Sequence, residues 1–289
     1  MSYATLWLTL NGLRLHAKAA GPEDGRPVIL LHGFPEFWWG WERYLDPLAR
    51  AGFRVIAPDQ RGYNRSDKPR GLHAYRLETL ASDVTGIMDT FGWERAAVVG
   101  HDWGGIVAWA AAALYPERVE RLAAVNAPYL NVGFRTLPRR PDQLLRSGYM
   151  YFFQLRGLAE AVLRNDNWEL LAQGMLRTSR PGAFSPQDLD RYRAAWWRRG
   201  AVTSMLNWYR ALFFHPPRLP LNPRFRMPVL VLWGERDFAL VPELAEASLA
   251  LCERGRLVRF AEATHWVQHE EPEQVLDHLL GFLTQPEAL

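Results

Sequence analysis

One cysteine, Cys252, leaves no partner for a disulfide within the chain, and a reducing, cytoplasmic compartment is expected. Cysteine and histidine are nowhere grouped at ligand spacing, so no metal centre is implied. Met1–Leu10 has neither a basic start nor a cleavage pattern, and no secretory signal is expected. The longest apolar run, Gly104–Tyr115, is far short of the ~20 residues of a membrane span. A net charge of +3 is too mild to imply a nucleic-acid partner. Internal repeats and low-complexity segments are absent as well.

What is present is an ordinary globular composition, 48% hydrophobic and 22% charged, with thirteen tryptophans. So many indoles suit a packed core or a pocket for apolar ligands. At 289 residues the chain can bury a sizeable core as one large domain or as a domain with an insertion. Charge is uneven: residues 127–220 hold 14 Arg, no Lys and 6 Asp plus Glu, net +8, which leaves −5 for the remainder. Such a basic segment either attracts anionic substrates or a membrane surface, or is a solvated face.

Asn11-Gly12 between two alternating runs predicts an opening hairpin, Thr5–Leu10 and Leu13–Lys18. Pro27–Leu31, Phe53–Ala57, Ala96–Val99 and Val119–Val125 read as buried strands. Trp41–Ala51 and Tyr75–Phe91 alternate with them as helices stopped by Gly52 and Gly92. Pro228–Trp233 and Arg256–Phe260 resume the strands, with helices from Pro242 and Pro272. The expected fold is an α/β, mostly parallel eight-stranded sheet with helices on both faces. Between 127 and 220 the strand candidates stop. Helical patches at Asp142–Arg164, Asn167–Leu176, Pro186–Trp197 and Val202–Phe214 predict an inserted helical cap, dividing the chain into a core, 1–126 and 221–289, and a cap, 127–220.

In sheets of this kind ligands bind beyond the carboxyl ends of the strands, where Phe34, Asp59 and Asp102 fall. The sharpest signal is Gly100-His101-Asp102-Trp103-Gly104-Gly105, a strand-to-helix elbow of the type that lifts a nucleophile above a sheet. Alone, an aspartate there would also serve as a helix N-cap. As a nucleophile it cannot do serine's acyl transfer, but it can displace a leaving group at an sp3 carbon and leave an ester. Hydrolysing that ester requires a base and an acid that orients it. Asp237, in Gly234-Glu235-Arg236-Asp237, and His265, in Thr264-His265-Trp266, each follow a predicted strand and supply them in the order nucleophile, acid, histidine. Backbone N–H groups of Phe34, in His32-Gly33-Phe34-Pro35, and of Trp103 are the expected oxyanion donors.

These four motifs together resemble the α/β-hydrolases over nearly the whole chain and, within them, the epoxide hydrolases. The core alone leaves haloalkane dehalogenases, which share an aspartate nucleophile, as the alternative. Tyr149-Met150-Tyr151-Phe152-Phe153-Gln154 and Asn207-Trp208-Tyr209-Arg210 resemble the family's two cap tyrosine motifs. The resemblance assigns Tyr149 and Tyr209 as donors to the epoxide oxygen, with Tyr151 as the rival to Tyr149. One departure is Asn64, where the family's loop carries a second glycine; asparagine tolerates the left-handed conformation, so the turn is expected to survive. Trp38, Trp103, Met150 and Phe152 are candidates to line a pocket for a small, apolar or aryl epoxide. The resemblance calls for no cofactor and leaves a homodimer open. A non-catalytic binding protein on the same fold is a third reading, separable by turnover on a ligand panel.

Overall fold

The computed structural model describes residues 3–136 and 140–285. Its centre is one eight-stranded sheet: β1 (Ala4–Leu10), β2 (Leu13–Ala20), β3 (Arg26–Leu31), β4 (Phe53–Pro58), β5 (Ala96–His101), β6 (Val119–Val125), β7 (Phe225–Gly234) and β8 (Cys252–Phe260). The spatial order is β1-β2-β4-β3-β5-β6-β7-β8. β1, β2 and β4 pair antiparallel; from β4 through β3 to β8 every pair is parallel. The hairpin turns at Asn11 and Gly12, both at positive φ (48° and 72°), the conformation for which Asn-Gly is suited.

Crossovers place α1 (Glu42–Arg50), α2 (Leu77–Thr90) and α3 (Trp103–Leu114) against the sheet, and α10 (Glu243–Leu249), α11 (Val267–Glu270) and α12 (Pro272–Thr284) follow the last strands. The central strands are buried on both faces, which is why they read as continuous apolar runs instead of alternating ones.

Between β6 and β7 the described residues are helical: α4 (Leu130–Thr136), α5 (Pro141–Arg146), α6 (Tyr149–Phe152), α7 (Leu158–Thr178), α8 (Pro186–Trp196) and α9 (Ala201–Phe214). The single helix expected over Asp142–Arg164 is instead three pieces. Ring contacts of Tyr149 with Phe153 (5.4 Å) and Tyr209 (5.9 Å) fold the middle piece onto α9, which a straight helix would not allow. α7 is itself interrupted at Asn165–Trp168, where Asp166, Asn167 and Trp168 take positive φ. β7 and β8 start earlier than expected because Phe225 pairs with Cys252 ahead of the apolar runs.

Candidate active site

Asp102 stands between β5 and α3 with φ 51° and ψ −122°, a backbone state few non-glycine residues adopt. The turn is tight enough that a Cβ on Gly100 would overlap the Gly104 carbonyl, and one on Gly104 the carbonyl of Leu31. Hydrogen bonds hold the aspartate there: its N–H donates to the Val125 carbonyl (3.1 Å) and its carbonyl accepts from Ile106 N–H (2.9 Å). The Phe34 N–H donates to Asp102 Oδ1 at 2.8 Å. Trp103 is the first residue of α3, directly after the aspartate.

The other carboxylate oxygen, Oδ2, lies 3.5 Å from His265 Nε2. His265 Nδ1 is 2.7 Å from Asp237 Oδ2. Asp237 is fully supported: Oδ1 accepts from the N–H groups of Ala239 (2.7 Å) and Leu240 (3.0 Å), and Oδ2 accepts from Asn126 Nδ2 (2.7 Å). Burial alone would raise the Asp102 carboxyl, but the hydrogen bond and charge of His265 hold it below the usual carboxylate range. Burial alone would lower His265, but the charges of Asp237 and Asp102 overcome it and hold the imidazole above its usual range.

The helices between β6 and β7 bring two phenols to the same place. Trp208 Nε1 donates to the Arg61 carbonyl (3.1 Å), and Arg210 donates to the Phe153 carbonyl (2.8 Å) and to Glu160 (2.6 and 3.0 Å). Tyr209, between these two anchors on α9, packs edge-on to Trp103 (5.1 Å) and Phe34 (5.2 Å). Tyr149 meets it through α5, whose Gln143 donates to the Ala239 carbonyl (2.7 Å) and accepts from Val241 N–H (2.9 Å). Burial and the nearby carboxylate charges raise the Tyr149 phenol, and burial with the Tyr149 and Asp102 charges raises Tyr209 well above the usual range. Tyr151 is 54% exposed and packs on Phe213 (5.6 Å).

Asp102, Tyr149 and Tyr209 line two cavities, of about 270 Å³ and about 210 Å³. The larger is walled by Phe152 together with Phe153, Leu171, Met175, Phe238 and Trp266, and also reaches His265. Met150 and Trp103 line the smaller one. Trp38 does not belong with them. It is buried beside Tyr3 (5.3 Å) and Trp39 (5.4 Å), with its backbone N–H donating to Asp59 Oδ1 (3.2 Å), and lines neither cavity. Asp59 likewise turns inward to His16 (2.7 Å) and Asn64 (2.9 Å), and Asn64 takes the left-handed conformation at φ 37°.

Sequence reasoning missed the cavity walls from α7 and Phe238, the latter signalled only by following Asp237. It also gave no sign of the network behind the site. His269 Nε2 lies 2.7 Å from Glu36 Oε1, which accepts from Tyr192 OH (2.8 Å) as well. Glu36 Oε2 meets His101 Nδ1 (3.1 Å), whose Nε2 reaches the His265 carbonyl (2.9 Å). Glu36 is buried, which opposes its ionisation, but the facing histidines hold it well below the carboxylate range. No three His, Cys, Asp or Glu side chains are grouped as a metal site among the described residues.

The profile of the α/β hydrolase fold matches residues 26–272. The AB hydrolase superfamily protein YfhM of Bacillus subtilis is 45% identical over 96% of this chain and 96% of its own length. Epoxide hydrolase 4 of Homo sapiens is 37% identical over 95% of this chain and 77% of its own. The crystal structure of a Bacillus megaterium epoxide hydrolase in complex with an inhibitor superposes with a TM-score of 0.87 at 30% identity, over 97% of this chain and 100% of that one. The chain therefore belongs to the α/β-hydrolase family, in the branch whose members include the epoxide hydrolases.

Proposed function

We propose that the protein opens epoxides to vicinal diols through a covalent ester on Asp102. The observation that carries this reading is one cavity lined by the Asp102 carboxylate, His265 and two phenols, with Asp237 behind the histidine. Residues 127–220 act as a cap that supplies the phenols to the core, 1–126 and 221–289. Relatives bearing the name epoxide hydrolase support the reaction class.

The chemistry follows from the charges. Asp102 Oδ1 is occupied by the Phe34 N–H, so Oδ2 attacks the epoxide carbon. As the C–O bond breaks, the strongly basic alkoxide takes a proton from Tyr149 or Tyr209, whose raised pKa values keep them protonated at neutral pH. Esterification removes the Asp102 charge, and with it part of what kept His265 protonated. His265 then takes a proton from water as the water adds to the ester carbonyl, with Asp237 orienting the imidazole and stabilising its cation. The N–H groups of Phe34 and Trp103 hold the oxyanion on the former Oδ1. The ester C–O bond breaks and the leaving alkoxide takes the proton that His265 drew from water; the proton left on the Asp102 carboxyl returns to the tyrosinate, and the diol leaves with Asp102 ionised. The mechanism requires no cofactor. The apolar walls favour an apolar or aryl substrate.

The decisive experiment mixes His265→Gln with an aryl epoxide and reads the intact mass. An adduct of substrate mass is expected, absent in Asp102→Asn, whose turnover falls by about 10⁴-fold or more. Because Asp102 is held low and the phenols high, ester formation stays flat from mildly acid to mildly alkaline pH. Ester hydrolysis instead rises with pH as His265 loses its proton, at a lower pH than in the free enzyme because esterification removes the Asp102 charge and leaves only that of Asp237. Diol formation surviving in Asp102→Asn would overturn the reading. Halide release from chloroalkanes that is indifferent to Tyr149→Phe and Tyr209→Phe would assign a dehalogenase instead.

A further inference from the structure

Arg135 and Arg156 play no part in the reaction just described, and neither do Leu145 and Phe214, which line neither cavity. Phe134, Leu144, Tyr151 and Phe213 line the smaller cavity and are 42%, 46%, 54% and 42% exposed, so they form its rim. Leu145, next to Leu144, is 82% exposed, and Phe214, next to Phe213, is 61% exposed. Single exposed apolar residues are normal on a soluble surface; four on the rim of one cavity, with two more adjoining them in the chain, form a patch of the kind that marks an interaction site.

Charge decides what covers it. The Arg156 guanidinium lies 5.9 Å over the Phe214 ring, and Arg135 donates to Asn222 Oδ1 (2.8 Å) and to the Leu221 carbonyl. Neither arginine has a carboxylate within ion-pair distance among the described residues. The acids on neighbouring elements are already engaged: Asp142 and Glu243 pair with Arg140, and Glu160 pairs with Arg210. A second copy of the chain docking through this patch about a two-fold axis would bring two arginine-bearing patches together, a like-charge arrangement. A surface that is apolar inside and anionic at its headgroups meets both features at once.

We propose that the rim of the smaller cavity docks on an anionic lipid bilayer, with Phe214 and Leu145 in the acyl boundary and Arg135 and Arg156 on phosphates. The cavity mouth then opens into the bilayer, and an apolar substrate dissolved there reaches Asp102 without crossing water. Docking does not depend on the reaction assigned to Asp102, so it is measured without substrate.

The experiment is co-sedimentation of the purified full chain with phosphatidylcholine vesicles and with vesicles that also contain phosphatidylglycerol. Binding to the mixed vesicles, weakened by salt, is expected. Arg135→Gln and Arg156→Gln each weaken it about fivefold, and the Leu145→Ser, Phe214→Ser pair abolishes it. None of these residues lines a cavity, so turnover of a small water-soluble epoxide stays at the wild-type rate in every variant. Absent binding, or equal binding to both kinds of vesicle, overturns the proposal. So does a concentration-dependent dimer that dissociates in the Leu145→Ser, Phe214→Ser variant while vesicles are ignored, which would assign the patch to a second copy.

Discussion

Asp102 and Tyr149 line the same cavity, yet the chain holds them there by different means. Asp102 is fixed by backbone: the end of a central parallel strand, two glycines with no room for a methyl group, and hydrogen bonds to the Val125 carbonyl of the flanking strand and from the Ile106 N–H of α3. Tyr149 is fixed by side chains: it sits on a four-residue helix whose neighbours are tied down through Gln143, Arg210 and a cluster of aromatic rings. Backbone sterics allow one arrangement, so the sheet edge is rigid. Side-chain anchoring can be repacked, so the helical segment is where substrate preference can change without loss of the fold.

The largest effect expected follows from testing that contrast with one substitution in two places. Gly104→Ala drives a Cβ into the carbonyls of Leu31 and His32, both backbone, and costs about 3 kcal/mol or more, with loss of the elbow. Gly133→Ala, in α4, meets nothing within 4 Å and gains about 0.5–1 kcal/mol from helix propensity. Urea midpoints of the two variants measure the difference. Equal midpoints would mean that the elbow can relax.

That difference also explains what the sequence could reveal. The elbow, the Asn11-Gly12 turn and the two loops carrying Asp237 and His265 were legible because local backbone rules dictate glycines and turn formers at set places. The closeness of Asp102, His265 and Asp237 follows from the parallel strand order, which alternating elements imply. The helical segment was legible only as helical. Periodicity made one helix of Asp142–Arg164, because the breaks at Ser147–Gly148 and after Phe152 are imposed by contacts with α9 that lie far away in sequence. Trp38 was misplaced for the same reason: an aromatic near the sheet edge has no local mark of which side it faces.

Next in size is the removal of the phenols. The double variant Tyr149→Phe, Tyr209→Phe loses about 10²–10⁴-fold in the rate of ester formation, and either single change loses less because one donor remains. Rapid-quench measurement of adduct formation separates this from ester hydrolysis, which uses only groups of the sheet edge and is expected to be unchanged. A loss shared equally by both steps would mean that the tyrosines maintain the structure and do not donate protons.

Gln143→Leu probes the anchoring directly. It leaves the Ala239 carbonyl and Val241 N–H unpaired in a buried place, costing about 1–3 kcal/mol of stability. Asp237 keeps its own bonds from Ala239, Leu240 and Asn126, so ester hydrolysis is retained. Ester formation falls about tenfold as α5 and α6 loosen and Tyr149 shifts. Reduced hydrolysis with intact ester formation would show that Gln143 serves the acid loop and not the tyrosine.

The smallest effect is the most specific. Tyr151 is two residues from Tyr149 on α6, and residues two apart on a helix face different ways. The structure puts the Tyr149 ring against Tyr209 and leaves Tyr151 half in solvent on Phe213. Tyr151→Phe removes the hydroxyl of a half-exposed side chain and keeps the ring contact with Phe213, so turnover changes by less than about twofold, under ~0.4 kcal/mol in the barrier. If Tyr151→Phe instead slows ester formation as much as Tyr149→Phe, α6 is rotated in the working enzyme. The first proton donor would then have to be reassigned, with the sheet-edge half of the site unaffected.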